Sequence, residues 1–112
     1  MKLPNAHLAR VEREKIAEYL LNPAHPDNGG KAAFFSSLGF GREDWPALAA
    51  AFRHLAATSR VARSLDSPHG QKYILDGPIT APSGKTALVR TVWIVDLGRA
   101  EPRLVTAYPK AD

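Results

Sequence analysis

Cysteine is absent and methionine occurs once, at position 1. No disulfide can staple this chain and no thiolate can hold zinc, which excludes the small disulfide scaffolds and cysteine-based metal sites. A reducing compartment is permitted by this, not required. Long apolar runs are missing too. None approaches the ~20 residues of a membrane-spanning helix, and no apolar export core follows Lys2. The expected location is the cytoplasm, with no membrane contact. Nor does one sign of charge dominate: 15 Lys and Arg stand against 11 Asp and Glu, giving +4 and a pI near 9.7. Residues 60–112 hold eight of those cations against five acids, so the C-terminal half carries most of the excess. That balance permits an anionic partner without requiring one. Internal repeats, low-complexity tracts and linkers are also lacking.

What is present is ordinary globular material. A chain of 112 residues, 45% hydrophobic and 23% charged, can bury a real core. The expectation is one domain over 1–112, with a helical part at 1–58 and a sheet part at 59–112. Ile16, Tyr19 and Leu20 share one side of a helix over 11–21, which Pro23 and Pro26 stop. The loop NPAHPDNGG at 22–30 is rich in turn formers, and KAAFFSSL at 31–38 makes a short helix ended by Gly39. Trp45, Leu48, Ala49, Phe52, Leu55 and Ala56 follow helical spacing over 45–57, with Pro46 in the first turn.

After Thr58 the hydrophobic period drops from 3.6 to 2. Strands are expected over 60–65, 73–79, 86–95 and 104–108, joined by the turns DSPHG and PSG and a loop at 97–102. Helices first and strands second means α+β, with three N-terminal helices packed on a four-stranded antiparallel β-meander. The run Val92–Trp93–Ile94–Val95 alternates too little for an edge strand and reads as the sheet centre. A loop at 97–102 sets Thr106 opposite Trp93 and Tyr108 opposite Thr91. Thr91, Trp93, Thr106 and Tyr108 then share a face; a one-residue slip exchanges Thr91 and Trp93 for Arg90 and Val92.

Two constellations carry chemistry. Gly29 and Gly30 free the backbone before a helix start whose amides attract anions, Lys31 adds a full charge, and His25 titrates near neutrality. This is a phosphate contact beside an acid–base histidine, or a proline-stiffened connection with a solvated histidine. GG-K is no P-loop, because neither a preceding strand nor a following Ser or Thr is present. On the last strand, Thr106 and Tyr108 present two hydroxyls side by side, able to hold phosphate oxygens or stack on a base, or to act as a packing pair. His69 and Lys72 border the same sheet from a turn. His7, His54 and the others lack metal-ligand spacing, so no metal is expected; no serine sits in a G-x-S-x-G frame.

The segments KIAEYLLNPAHPDNGGKAAFFSSLGF, GQKYILDGPI, VRTVWIVD and RLVTAYP resemble a small bacterial domain family of unknown function. That family is found alone and near the C-termini of polymorphic toxins. It in turn resembles the barnase–EndoU–colicin–RelE group of metal-independent ribonucleases, which have N-terminal helices and a four-stranded antiparallel sheet. The resemblance implies an RNA substrate cleaved through its own 2′-OH to a 2′,3′-cyclic phosphate, without metal or cofactor. It implies His25 as acid or base, Lys31 as the cation, and Thr106 with Tyr108 holding phosphate or base. Arg90, Thr91, His69 and Lys72 are the substrate-binding candidates, Arg90 or Thr91 depending on register. It further implies a cognate immunity or antitoxin protein, and delivery as part of a larger secreted toxin. The alternative is a non-catalytic protein-binding module, marked by an apolar sheet face with His25 and Lys31 far from Tyr108.

Overall fold

The computed structural model describes residues 1–110. Its helical part is made of short pieces. An extended lead-in carries a 3-10 turn at Ala6–Leu8. Then α1 (Arg13–Lys15) runs straight into a π-helical turn at Ile16–Leu20. After the loop come α2 (Lys31–Ser37), a 3-10 turn at Arg42–Asp44, and α3 (Trp45–Thr58). The Asp44 carboxylate accepts the Gly41 amide at 2.8 Å and closes the turn that starts α3. Helical spacing then buries Leu48, Ala49, Phe52, Leu55 and Ala56. Each large side chain so buried contributes about 1.5–3 kcal/mol. Phe35 of α2 meets Phe52 edge-on at 5.9 Å between ring centroids.

The four strands β1 (Val61–Ser67), β2 (Gly70–Thr80), β3 (Thr86–Asp96) and β4 (Arg103–Pro109) form one sheet in the order β1-β2-β3-β4. Every neighbouring pair is antiparallel, as the short turns require. One core cluster joins the helical residues Ile16, Leu20, Phe35 and Phe52 to Leu75, Val89, Trp93, Leu104 and Ala107 of the sheet. At Gly77 the end of α3 lies so close to β2 that a Cβ would stand 2.5 Å from the Ser59 Oγ and 3.2 Å from the Leu55 Cγ. Glycine is what allows that approach.

The expected register between β3 and β4 is wrong by one residue over the part that matters. Trp93 stands opposite Leu104, yet Val92 stands opposite Thr106, so Val105 is an extra residue, a β-bulge. The cause lies in the core. Leu104 and Ala107 are both buried, and residues three apart point to opposite faces of a regular strand. The bulge turns both inward. Beyond it Tyr108 pairs with Arg90 and Thr91 with Ala107. The lead-in covers one end of β4: the Arg10 amide donates to the Pro102 carbonyl at 2.8 Å, and the Leu104 amide to that of Arg10 at 3.0 Å.

Candidate functional site

The site is organised by Tyr19, which a regular helix would have buried with Ile16 and Leu20. The π-helical turn changes its aim. The Leu21 amide donates to the Ile16 carbonyl at 2.8 Å, five residues back. The wider turn keeps Ile16 and Leu20 fully buried while Tyr19 stays half-buried. Its hydroxyl is thereby carried out to the edge of β4.

The loop that follows is built to hold this turn and α2 together. Asn28 is buried, and its side chain bonds in three directions. Nδ2 donates to the carbonyls of Tyr19 at 2.6 Å and Leu20 at 3.4 Å, and Oδ1 accepts the Ala32 amide at 2.8 Å. Gly29 and Gly30 turn the chain with φ of 64° and 86°, values that side chains disfavour. At the start of α2 the Ala32 amide is taken by the Asn28 side chain, and the Lys31 amide donates to the Asn28 carbonyl at 3.2 Å. Lys31 adds a full positive charge there.

His25 lies against Tyr19, ring centroids 4.9 Å apart and nearly perpendicular. The Asp27 amide donates to its Nδ1 at 3.1 Å. Nδ1 therefore carries the lone pair, and the neutral ring holds its proton on Nε2. Glu14, Lys15, Tyr19, His25, Asp27, Val105 and Thr106 line an open cleft of about 500 Å³.

Lys31 is the hub. Its ammonium donates to the Tyr19 hydroxyl at 2.5 Å and to the Thr106 hydroxyl at 2.9 Å. The same Nζ stands 4.9 Å from the Tyr19 ring centroid and 5.9 Å from that of Tyr108. The Tyr19 and Thr106 hydroxyls lie 3.4 Å apart. Burial works to raise the Tyr19 phenol. It is outweighed by hydrogen bonds from Lys31 and Thr106 and by the charges of Lys31 and Lys15, so the phenol titrates below its ordinary 10.0. Lys31 thus joins Tyr19 and Thr106 and stands near the Tyr108 ring, while His25 touches Tyr19, the residue that periodicity concealed.

Of the remaining candidates, Arg90 stays with Tyr108 and the others separate. Arg90 is the cross-strand partner of Tyr108 and makes a two-pronged ion pair with Asp76 at 2.8 and 2.9 Å. With Tyr108, Pro109 and Lys110 it lines a second, smaller cleft of about 280 Å³. Thr91 is fully buried: its hydroxyl donates to the Leu75 carbonyl at 2.9 Å and accepts the Trp93 indole N–H at 2.8 Å. Its expected place on the Tyr108 face is therefore corrected, and Trp93 goes with it into the core. His69 sits in the β1–β2 turn, its carbonyl accepting the Leu97 amide at 3.1 Å. Lys72 on β2 pairs with Ile94 of β3. Both lie toward the other end of the sheet, two strands away from β4. Among the described residues no three His, Asp or Glu side chains gather as a metal ion would require, and no helix is long and apolar enough to cross a membrane.

The chain belongs to the family described as Domain of unknown function (DUF6883), which it matches over residues 2–111. Comparison with curated proteins finds no match. Among solved structures, the fold is similar to a chain of a contact-dependent growth inhibition toxin–immunity protein complex from Klebsiella pneumoniae 342. The TM-score is 0.73 with 18% sequence identity, over 96% of this chain and 97% of that one. At that identity the similarity speaks for the fold alone.

Proposed function

We propose that this domain is a metal-independent endoribonuclease of toxin type, cleaving RNA through the 2′-OH to a 2′,3′-cyclic phosphate. One observation carries the reading. An ammonium, Lys31, is held between the hydroxyls of Tyr19 and Thr106, two residues that line one open cleft with His25. In this chemistry the nucleophile belongs to the substrate, so the protein has to place a phosphate, neutralise the crowded phosphorane and move two protons. Lys31 meets the non-bridging oxygens, Thr106 and Tyr108 hold the phosphate or a base, and His25 lines the same cleft as Thr106.

The fold similarity to a chain of a toxin–immunity complex is compatible with this reading and suggests a cognate protein that covers the cleft. RNA cutting also requires that the domain reach the cytoplasm, alone or as part of a larger secreted toxin. The non-catalytic alternative has as its marks an apolar sheet face and both His25 and Lys31 far from Tyr108. Against the Lys31 part of that, the ammonium stands 5.9 Å from the Tyr108 ring. Incubating the purified protein with total RNA in EDTA tests the proposal. Fragments ending in a cyclic phosphate support it; intact RNA, or cleavage that needs added divalent metal, refutes it.

A further inference from the structure

We infer that Tyr19 and Lys31 are the proton-transfer pair of this site and that His25 serves it as a neutral hydrogen-bond donor through Nε2. The inference rests on the ribonuclease reading and assigns its roles. His25 has its Nδ1 lone pair engaged by the Asp27 amide at 3.1 Å. Its Nε2 then carries a proton and has no lone pair to accept one from a 2′-OH. Serving as an imidazolium acid requires a proton on Nδ1, which would face the Asp27 N–H, donor against donor. What remains is the Nε2–H of a ring that lines the cleft, fit to hold a phosphate oxygen.

Tyr19 and Lys31 have the complementary properties. The phenol oxygen touches the ammonium at 2.5 Å, and Thr106 lies 2.9 Å from that ammonium. Lys15 stands 5.2 Å from the Tyr19 ring centroid; Lys31 from α2 is the nearest charge, and Glu14 and Asp27 stand at the cleft wall. The two cations favour the phenolate, in keeping with the lowered titration of Tyr19. The π-helical turn that delivers Tyr19 is a helix defect of the kind often found at functional sites.

The step balances. The Tyr19 phenolate takes the proton of the 2′-OH as the O2′–P bond forms. The P–O5′ bond breaks, and its electron pair takes a proton from the Lys31 ammonium. The pair is left as phenol and amine. Moving one proton along their contact restores phenolate and ammonium, with no other group required.

The test uses the full chain and RNA with a single cleavage site. Replacing Tyr19 by a fluorinated tyrosine of lower phenol pKa keeps the contacts, and the rising limb of the rate–pH curve should move to lower pH. Tyr19→Phe should lower cleavage by roughly 10²-fold or more, with the circular dichroism spectrum unchanged. His25→Gln keeps an N–H near the Nε2 position and should lose about tenfold or less, whereas His25→Ala should lose more. A substrate with a sulfur at the 5′ bridging position has a leaving group that needs no proton. It should restore Lys31→Ala partly and His25→Ala not at all. A rising limb that stays in place, full activity of Tyr19→Phe, or restoration of His25→Ala by the sulfur substrate overturns this inference while leaving the ribonuclease reading intact. Absence of cleavage by the unsubstituted protein overturns both.

Discussion

Lys31 Nζ lies 2.9 Å from the Thr106 hydroxyl although 75 residues separate the two in the chain. That contact joins the loop half of the site to the strand half, and removing its charge is the simplest test of the proposed function. Lys31→Met should reduce RNA cleavage roughly 10²-fold or more, since it deletes the donor aimed at the developing phosphorane charge. Initial rates on RNA in EDTA decide it.

Tyr108→Phe removes one oxygen and little packing. If the hydroxyl holds phosphate or base, cleavage should fall about tenfold, the worth of one hydrogen bond at a polar site. A rate equal to that of the unsubstituted protein would remove Tyr108 from the site while leaving Lys31 in it.

Thr91→Val makes the opposite prediction. The Trp93 indole N–H loses its acceptor within the core, so stability should drop by about 1–3 kcal/mol. Activity per folded molecule should be unchanged, because Thr91 faces away from Tyr108. Urea denaturation and the cleavage assay, run on the same preparation, separate the two effects.

Asn28→Ala should cost about 1–3 kcal/mol in the same denaturation experiment, since it strands the Tyr19 carbonyl and the Ala32 amide in a buried setting. It should also lower cleavage, because Asn28 anchors the turn that aims Tyr19. A stable variant with full activity would show that the loop holds its shape by the prolines alone.

Asp76 provides a pH signature. Its hydrogen bonds from Arg90 outweigh partial burial and keep its carboxyl below the ordinary 3.8. A depressed carboxyl adds stability that is present above 3.8 and is lost as pH falls through the lower, folded value. Asp76→Asn should therefore lose less stability than the unsubstituted protein between pH 6 and pH 3. Equal losses would mean that the ion pair with Arg90 contributes nothing.

Much of the fold was legible because it rests on periodicity. The stripe from Trp45 to Ala56 needs only 3.6-residue spacing, and the antiparallel order of the strands needs only short turns between runs of period 2. The chemistry of His25 and Lys31, and the paired hydroxyls of Thr106 and Tyr108, were legible as residue types in turn and strand contexts. Composition alone disposed of disulfides and of thiolate metal sites.

Two irregularities escaped that reading, and both act on the site. A π-helical turn adds a residue to the turn at 16–20, and a β-bulge adds Val105 to β4. Each insertion shifts the side chains after it, and each is selected by long-range packing. Leu104 and Ala107 must both reach the core. The wider turn swings Tyr19 aside while Ile16 and Leu20, four apart and on one helix face, stay in it. Local spacing therefore counts Tyr19 as core and Thr91 as surface. Tertiary packing reverses both, because burying Leu104 and Ala107 together outweighs the small local cost of one extra residue in the strand, and Lys31 and Thr106 hold the Tyr19 hydroxyl at the sheet edge.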